Sequence, residues 1–381
     1  MKILYIIDGM FNSAGRERVV ANKALYLSQM GHEITILTTN QRNRAYFYEL
    51  PKSVKTVDLG INYDDYVGKN IVSKTVAYFH KNRLFSRRLQ AFLNDFRQDV
   101  IVTLMDRYIP AILRHRKYCV TVYEHHFNKF AMYELRESRT RKFFQQLVYR
   151  AKDWYYIRFY YRRLDVFAVL TEEDKAYWGH EARNIICMPN SILYRPDEVA
   201  ELDNKIVISI GRLTYQKGYD RLIQVWKTVA DKFPDWQLHI YGTGEELGAL
   251  QDQIAALELK SVHIFPPTSE INNKLKEASL YVMTSRFEGL PMVLLESMAV
   301  GLPLVSFDCK CGPKDVIIDG TNGYIIPDGN LELMAERICT LLTNPDKRKD
   351  MGHQAKLEAK NFSHEKIMKD WISLFNQLKK K

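Results

Sequence analysis

The alternation of short apolar runs with amphipathic stretches limits this chain to one broad class of fold. Near the start, residues 2–7 and 33–38 are apolar runs, and the stretch between them, from about residue 17 to residue 30, has the periodicity of an amphipathic helix. A strand, a helix and a second strand in this order predict a βαβ unit with two parallel strands. Repetition of the unit predicts an α/β fold with helices on both faces of parallel sheets.

The alternation continues in two series separated by a polar stretch. Further strands of the first series are predicted at residues 54–58, 99–104, 119–123 and 166–170. Those of the second are predicted at 206–210, 237–241, 262–265, 280–284 and 303–307, between helices near 218–232, 245–257, 271–277 and 290–300. Residues 189–204 are irregular and favour a linker. Because 381 residues exceed what one core supports, we predict two domains, 1–188 and 189–363.

The formal net charge of +10 is unevenly distributed along the chain. Residues 1–180 contain 30 Lys and Arg against 18 Asp and Glu, whereas residues 181–381 contain 25 against 27. This asymmetry predicts an anionic partner on the N-terminal side, either a membrane surface or a nucleic acid. No stretch matches a nucleic-acid-binding motif, so a basic nucleic-acid-binding protein stays only as an alternative from a different class.

Several other classes of protein are disfavoured. The first residues lack the pattern of a secretory signal and no stretch of about 18 residues is free of charge, so we expect a cytoplasmic protein without a membrane span. Five cysteines without a CxxC pair argue against a disulfide framework and against a zinc site. The first strand is not followed by Gly-x-Gly-x-x-Gly, which disfavours a dehydrogenase.

Short motifs in the second series carry the most specific signal. They are Gly211-Arg212-Leu213, Gln216-Lys217-Gly218, Tyr241-Gly242-Thr243-Gly244, the run 285–291 with Glu296, and Cys311-Gly312-Pro313, and a weaker one covers 14–19. Together they resemble the family-four retaining glycosyltransferases. The resemblance implies the GT-B fold, in which two Rossmann-like domains with parallel sheets face each other across a cleft. It further implies an acceptor-side first domain, a nucleotide-sugar-binding second domain, and a C-terminal helix, 364–381, that packs back on the first.

Two cations follow the first strand of the second series. Arg212 and Lys217 lie at its predicted carboxyl edge, where a guanidinium fork and a flexible ammonium can both reach phosphate oxygens. A sugar nucleotide has a negatively charged diphosphate, and breaking the anomeric bond leaves a further charge on the departing nucleotide. The resemblance implies that Arg212 and Lys217 bind this diphosphate and take part in catalysis.

Two glutamates stand eight residues apart around a predicted helix. Glu288 precedes the helix 290–300 and Glu296 lies within it. Pro291 suits its first turn because the ring fixes φ and the missing N–H costs nothing there. The start of the helix would direct free amides and the positive end of the dipole at a phosphate. The resemblance implies that Glu296 accepts hydrogen bonds from the ribose and that Glu288 is a catalytic residue beside the donor sugar.

Several residues near these motifs are assigned to the donor site. Gly15, in the turn after the first strand, allows the backbone to approach a phosphate closely, although Ala14 replaces the first glycine of the family's pair. Gly289 can bring backbone amides near the sugar. By resemblance, Gly242 and Leu290 belong to the same donor site.

A histidine is the candidate from the first series. The pair Glu124-His125 follows the predicted strand 119–123 and resembles the family's cleft histidine. The resemblance implies that His125 is catalytic and holds the donor sugar and the charge developing near the anomeric carbon. A strand-end histidine satisfied by the backbone is the alternative, and His126 is expected to point the opposite way.

These residues together predict an activity. No Asp-x-Asp motif is present, so we expect no metal ion and no cofactor beyond the sugar nucleotide, which is a substrate. The predicted reaction is a retaining, metal-independent transfer of a hexose or N-acetylhexosamine from a UDP-sugar to a glycan or lipid-linked acceptor in surface polysaccharide or glycoconjugate synthesis. A GDP-sugar-dependent transferase and a nucleotide-sugar epimerase of the same fold remain alternatives.

A basic aromatic segment, residues 128–163, is the local source of the positive first half. It contains ten Lys or Arg against three acidic residues, with Tyr, Phe and Trp interleaved. Such a segment can rest on an anionic membrane, with its aromatic side chains at the interface. We therefore expect a peripheral enzyme on the inner face of the membrane. The alternative is a helix that packs its aromatics on the core and exposes its cations.

Overall fold

The computed structural model describes most of the chain. The described residues are 1–12, 15–66, 71–129, 151–152, 154–179, 184–195 and 197–379. Most of the basic aromatic segment therefore lies outside the described residues, which include its positions 128–129, 151–152 and 154–163.

The first sheet is built from the first series of strands. Its strands are β1 (Lys2–Ile7), β2 (Glu33–Thr38), β3 (Lys55–Asp58), β4 (Val100–Thr103), β5 (Val120–His125), β6 (Val166–Val169) and β7 (Ile185–Cys187). All pairs are parallel, in the order β3-β2-β1-β4-β5-β6-β7. The connecting helices include α1 (Gly15–Gln29), α2 (Ile71–Asp95), α3 (Ile109–Ile112) and α4 (Glu172–Trp178).

The second sheet is built in the same way. Its strands are β8 (Ile206–Ile210), β9 (Gln237–Tyr241), β10 (Val262–Phe265), β11 (Leu280–Met283), β12 (Leu304–Asp308) and β13 (Gly323–Pro327), parallel in the order β10-β9-β8-β11-β12-β13. Its helices include α5 (Tyr219–Lys232), α6 (Leu247–Ala256), α7 (Ile271–Lys276), α8 (Met292–Ala299), α9 (Pro313–Val316), α10 (Leu331–Thr343) and α11 (Pro345–Ala359). The predicted α/β fold with two parallel Rossmann-like sheets is confirmed.

Two short strands were not predicted. β7 has three half-buried residues and β13 begins with a glycine and ends with a proline, so neither shows an apolar run of ordinary length. Both lie at an edge of their sheet, where a strand pairs with one neighbour only. Edge strands of this kind are placed by the sheet they join rather than by their own residues.

The last helix, α12 (His364–Leu378), follows the second sheet but packs on the first. Its Trp371 and Phe375 are buried in the same apolar cluster as β1 and β4. The chain therefore passes twice between the two sheets. The two passages are bonded to each other, because Ile192 N–H donates to Phe362 O at 2.9 Å and His364 N–H donates to Ile192 O at 2.9 Å.

No described helix is a candidate for a membrane span. None of them combines the length and the apolar character that a membrane span requires.

Candidate active site

Two loops at the carboxyl edge of the second sheet meet and form the centre of the site. One follows β8 and the other follows β11, its neighbour in the sheet. Arg286 N–H donates to Gln216 O at 2.7 Å, and the Gln216 side-chain amide donates to Phe287 O at 3.0 Å. Each loop thus fixes the other.

Lys217 and Glu288 form an ion pair between these loops. Lys217 Nζ lies 2.6 Å from Glu288 Oε1, and Ser285 Oγ donates to the same oxygen at 2.6 Å. Both charged side chains are mostly buried. Because an ammonium has three donors, Lys217 can still donate to a second anion while it holds Glu288.

Arg212 lies on the same loop as Lys217 and is exposed. In the part of the chain that the structure describes, its guanidinium has no hydrogen-bond or ion-pair partner. Its donors are therefore available to a ligand. An exposed Arg and a paired Lys on one loop at the sheet edge are suited to an anion with several oxygens.

Another cation of this region, Arg286, was not assigned a role from the sequence. Its guanidinium contacts both carboxylate oxygens of Asp220, at 2.9 and 2.6 Å, and also donates to Tyr215 O at 2.7 Å. This fork ties the loop before α8 to the first turn of α5. Arg286 therefore holds the two loops in place. Its position inside the motif 285–291 is the sequence feature from which this role could have been predicted.

Glu296 lies on α8, which begins two residues later than predicted. Pro291 occupies the N-cap position, with φ −73° and ψ 99°, rather than the first turn. The Glu296 side chain is mostly buried, and its Oε1 lies 2.6 Å from Arg18 Nη2 of α1. Burial raises the pKa of Glu296, and the Arg18 charge opposes that rise. Leu290, just before the helix, buries its side chain in the core, so its backbone is the part that a donor could contact.

The three glycines assigned to the donor site differ in their surroundings. A Cβ at Gly242 would overlap Gly211 O, so the loops after β8 and β9 approach each other closely only because a glycine is present. A Cβ at Gly289 would lie 3.0 Å from His126 O. At Gly15 it would meet none of the described residues within 4 Å, so they show no close approach of the protein there.

His125 points into an aromatic enclosure at the end of β5. Its Nδ1 lies 2.9 Å from Tyr123 Oη, and its ring contacts Phe167 and Trp178 edge to face. Its Nε2 is buried and has no hydrogen-bond partner among the described residues. Burial lowers the pKa of His125 to about 4, so the ring is neutral near pH 7.

His126 points the opposite way, as predicted. Its Nε2 lies 3.3 Å from Glu124 Oε2, the same oxygen that Lys23 Nζ of α1 approaches at 2.7 Å. Burial alone would raise the pKa of Glu124, but Lys23 and His126 lower it to about 2. His126 therefore belongs to a buried charge cluster that ties β5 to α1.

The turn after β5 meets the loop before α8 directly. The Asn128 side-chain amide donates to Glu288 O, and His126 O faces Gly289. The residues predicted from the two halves of the sequence, His125 in one and Glu288 in the other, thus lie on two segments in contact. Asn128 was not predicted, because nothing in its local sequence distinguishes it.

Within the described residues no three His, Cys, Asp or Glu side chains converge as a metal ion would require.

Two family models match consecutive parts of the chain. The model described as Glycosyltransferase Family 4 covers residues 14–192, and the model described as Glycosyl transferases group 1 covers residues 191–358. The boundary between the matches falls in the passage from β7 to β8. The chain belongs to the group 1 glycosyltransferases of the GT-B fold. The resemblance seen in the motifs is confirmed.

Named relatives of this glycosyltransferase share its sequence to different extents. An uncharacterised glycosyltransferase of Haemophilus influenzae is 36% identical over 54% of this chain, and the match spans only 60% of that protein. The amylovoran biosynthesis glycosyltransferase AmsD of Erwinia amylovora is 27% identical over 98% of this chain and 99% of its own.

A solved structure resembles this glycosyltransferase over almost its whole length. A mutant of S. aureus TarM, crystallised with fondaparinux, α-GlcNAc-glycerol and UDP, superposes with a TM-score of 0.77, and the match covers 98% of this chain and 99% of that one. At 18% identity, the similarity concerns the fold alone.

We predict that Gly242→Ala strains the close contact between the loops after β8 and β9. The added methyl group would collide with Gly211 O, so the free energy of unfolding should fall by about 2 kcal/mol, measured by urea denaturation. Gly248→Ala on α6 is the control, because a Cβ there meets no described residue within 4 Å, and it should leave stability equal or slightly higher. Equal behaviour of the two variants would refute the packing role of Gly242.

Proposed function

We propose that the protein is a retaining glycosyltransferase that moves a hexose or N-acetylhexosamine from a UDP-sugar to a glycan or lipid-linked acceptor in surface polysaccharide synthesis. The observation that carries the proposal is the Lys217–Glu288 ion pair at the carboxyl edge of the second sheet, with the exposed Arg212 on the same loop as Lys217. Open parallel sheets bind ligands at this edge. The amylovoran enzyme and the UDP-bound TarM support the choice of pathway and of nucleotide.

The two cations are proposed to receive the diphosphate. Arg212 donates from its exposed fork, Lys217 donates the N–H groups that Glu288 does not use, and the first amides of α8 add the positive end of a helix dipole. This set can stabilise the charge on the departing nucleotide, as a metal ion does in other transferases. We therefore propose a metal-independent reaction.

The two glutamates and His125 are proposed to hold the rest of the donor. Glu296 accepts hydrogen bonds from the ribose, and Glu288, fixed by Lys217 and Ser285, lies beside the sugar. The neutral His125 has one buried nitrogen without a partner among the described residues, and we propose that this nitrogen becomes accessible to a sugar hydroxyl when the donor binds. We propose that the acceptor attacks the face from which the nucleotide departs, with the leaving phosphate accepting the acceptor proton.

The direct test is a reaction with candidate donors. The purified protein is incubated with UDP- and GDP-sugars and a mixture of lipid-linked and soluble glycan acceptors, and release of the nucleoside diphosphate is measured. We expect release from a UDP-sugar that continues in EDTA, and a product whose anomeric configuration by NMR matches the donor. Loss of activity in EDTA or an inverted product would contradict the proposal.

His125→Phe provides a matched variant for the same assay. Phenylalanine preserves the aromatic packing against Phe167 and Trp178 but removes the ring nitrogens. We expect turnover at saturating donor and acceptor to fall by about 100-fold, the scale of one lost hydrogen bond to a group that develops charge. An unchanged turnover would remove His125 from the catalytic site.

We also propose that the protein contacts an anionic membrane through the basic aromatic segment. In its described part, Trp154 is 63% exposed and Phe159 is 41% exposed, beside the basic Arg158. Helix α2 lies next to the segment, because Oη of its Tyr78 is 3.4 Å from Oη of a tyrosine of the segment. The following residue of α2, Phe79, is 68% exposed. Exposed aromatics among cations suit the interface of an anionic bilayer.

Flotation with vesicles tests this contact. We expect the protein to float with phosphatidylglycerol vesicles and not with pure phosphatidylcholine, because cationic side chains respond to the anionic headgroups. Phe79→Ser combined with Trp154→Ser should reduce recovery of the protein with the vesicles. Tyr118→Ser should not, because Tyr118 is an exposed aromatic residue outside the segment, in the turn before β5. Equal recovery with both lipids would defeat the proposal.

A further inference from the structure

An ion pair joins the two domains at the residue proposed to bind the ribose. Arg18 lies on α1 of the first domain, and its Nη2 is 2.6 Å from Oε1 of Glu296 on α8 of the second. The Arg18 side chain is 34% exposed and that of Glu296 is 15% exposed. The pair therefore lies at a partly shielded position, where a charge contact is worth more than at the surface.

Helix α1 presents Arg18 from a rigid base. Val20, two residues further along, is buried in the apolar cluster of the first sheet. Lys23 of the same helix is buried 2.7 Å from Glu124 of β5, and its Nζ lies 4.3 Å from the ring centroid of Trp371 on α12. Because α1 is held to its own domain in this way, the Arg18 guanidinium reaches α8 only when the two domains are close together.

We propose that Arg18 is a positioning residue for nucleoside recognition, which holds the Glu296 carboxylate ionised and oriented for the ribose when the cleft is closed. The inference rests on the proposed ribose role of Glu296. It adds that the first domain takes part in binding the nucleoside without touching it. Nucleoside affinity would then depend on domain closure.

The stereochemistry of a carboxylate allows both partners at once. A carboxylate has two oxygens and about four acceptor positions, of which Arg18 takes one on Oε1. The remaining positions can accept the two hydroxyls of a ribose. Arg18 therefore does not have to leave when the nucleoside binds, and its charge keeps Glu296 in the form that accepts hydrogen bonds.

The charges around the pair determine the effect of pH. Tyr48 interacts electrostatically with both members of the pair and with Glu17 of α1. Helix α11 packs on α8, and its Lys356 donates its hydrogen bonds to backbone carbonyls. Burial raises the pKa of Glu296 and Arg18 opposes the rise, so removal of Arg18 should raise that pKa further. We propose that the ionised form of Glu296 binds the ribose. When the pH is lowered, the variant without Arg18 should therefore lose nucleoside affinity at a higher pH than the unaltered protein does.

Calorimetric titration with UDP, and in parallel with GDP, tests the inference on the full chain. We expect Arg18→Gln to weaken binding about tenfold, more strongly as the pH falls, and Arg18→Lys to restore part of the loss because it keeps the charge. Glu296→Gln should weaken binding at all pH values, and the double variant should bind no worse than Glu296→Gln alone. Arg87→Gln, which changes an exposed arginine on α2 of the same domain, is the control and should bind normally.

The outcomes separate this inference from the proposed function. If neither nucleotide binds, or if Glu296→Gln leaves affinity unchanged, the ribose role fails and the inference fails with it. If Glu296→Gln weakens binding but Arg18→Gln does not, only the role of Arg18 is overturned. Tighter binding by Arg18→Gln would show that Arg18 competes with the nucleoside, which also overturns it.

Discussion

The Lys217–Glu288 ion pair is the contact on which the arrangement of the site depends. It joins the loop after β8 to the loop after β11 at 2.6 Å, and both side chains are mostly buried. Removing either partner would leave an uncompensated charge in a place with little solvent. The pair therefore fixes the two loops relative to each other, and the Arg286–Asp220 fork reinforces the same junction.

The first domain also contributes residues that border the site. Asn128 bonds to Glu288 O, and Arg18 reaches Glu296. Both contacts cross the cleft, in addition to the two passages of the chain that connect the domains. A donor held mainly by the second domain would thus be placed against residues of the first, where we expect the acceptor.

The sequence was sufficient to place in the fold those candidate residues whose signals are local. Arg212 and Lys217 follow a strand with clear apolar character and Glu296 lies on a helix after a neighbouring strand, so their common edge follows from the order of the elements. Contacts between distant segments could not be predicted in this way. The pairing of Arg18 with Glu296 and the enclosure of His125 by a tryptophan of α4 depend on how helices pack, which periodicity does not specify. Sequence motifs locate candidate groups, but tertiary packing decides what each group contacts.

A crystal structure with bound UDP would show whether the carboxyl edge of the second sheet holds the nucleotide. We expect the diphosphate oxygens to contact Arg212 and Lys217 near the start of α8, and the ribose hydroxyls to contact Glu296. A diphosphate bound elsewhere, or one that leaves Arg212 and Lys217 facing solvent, would contradict this prediction.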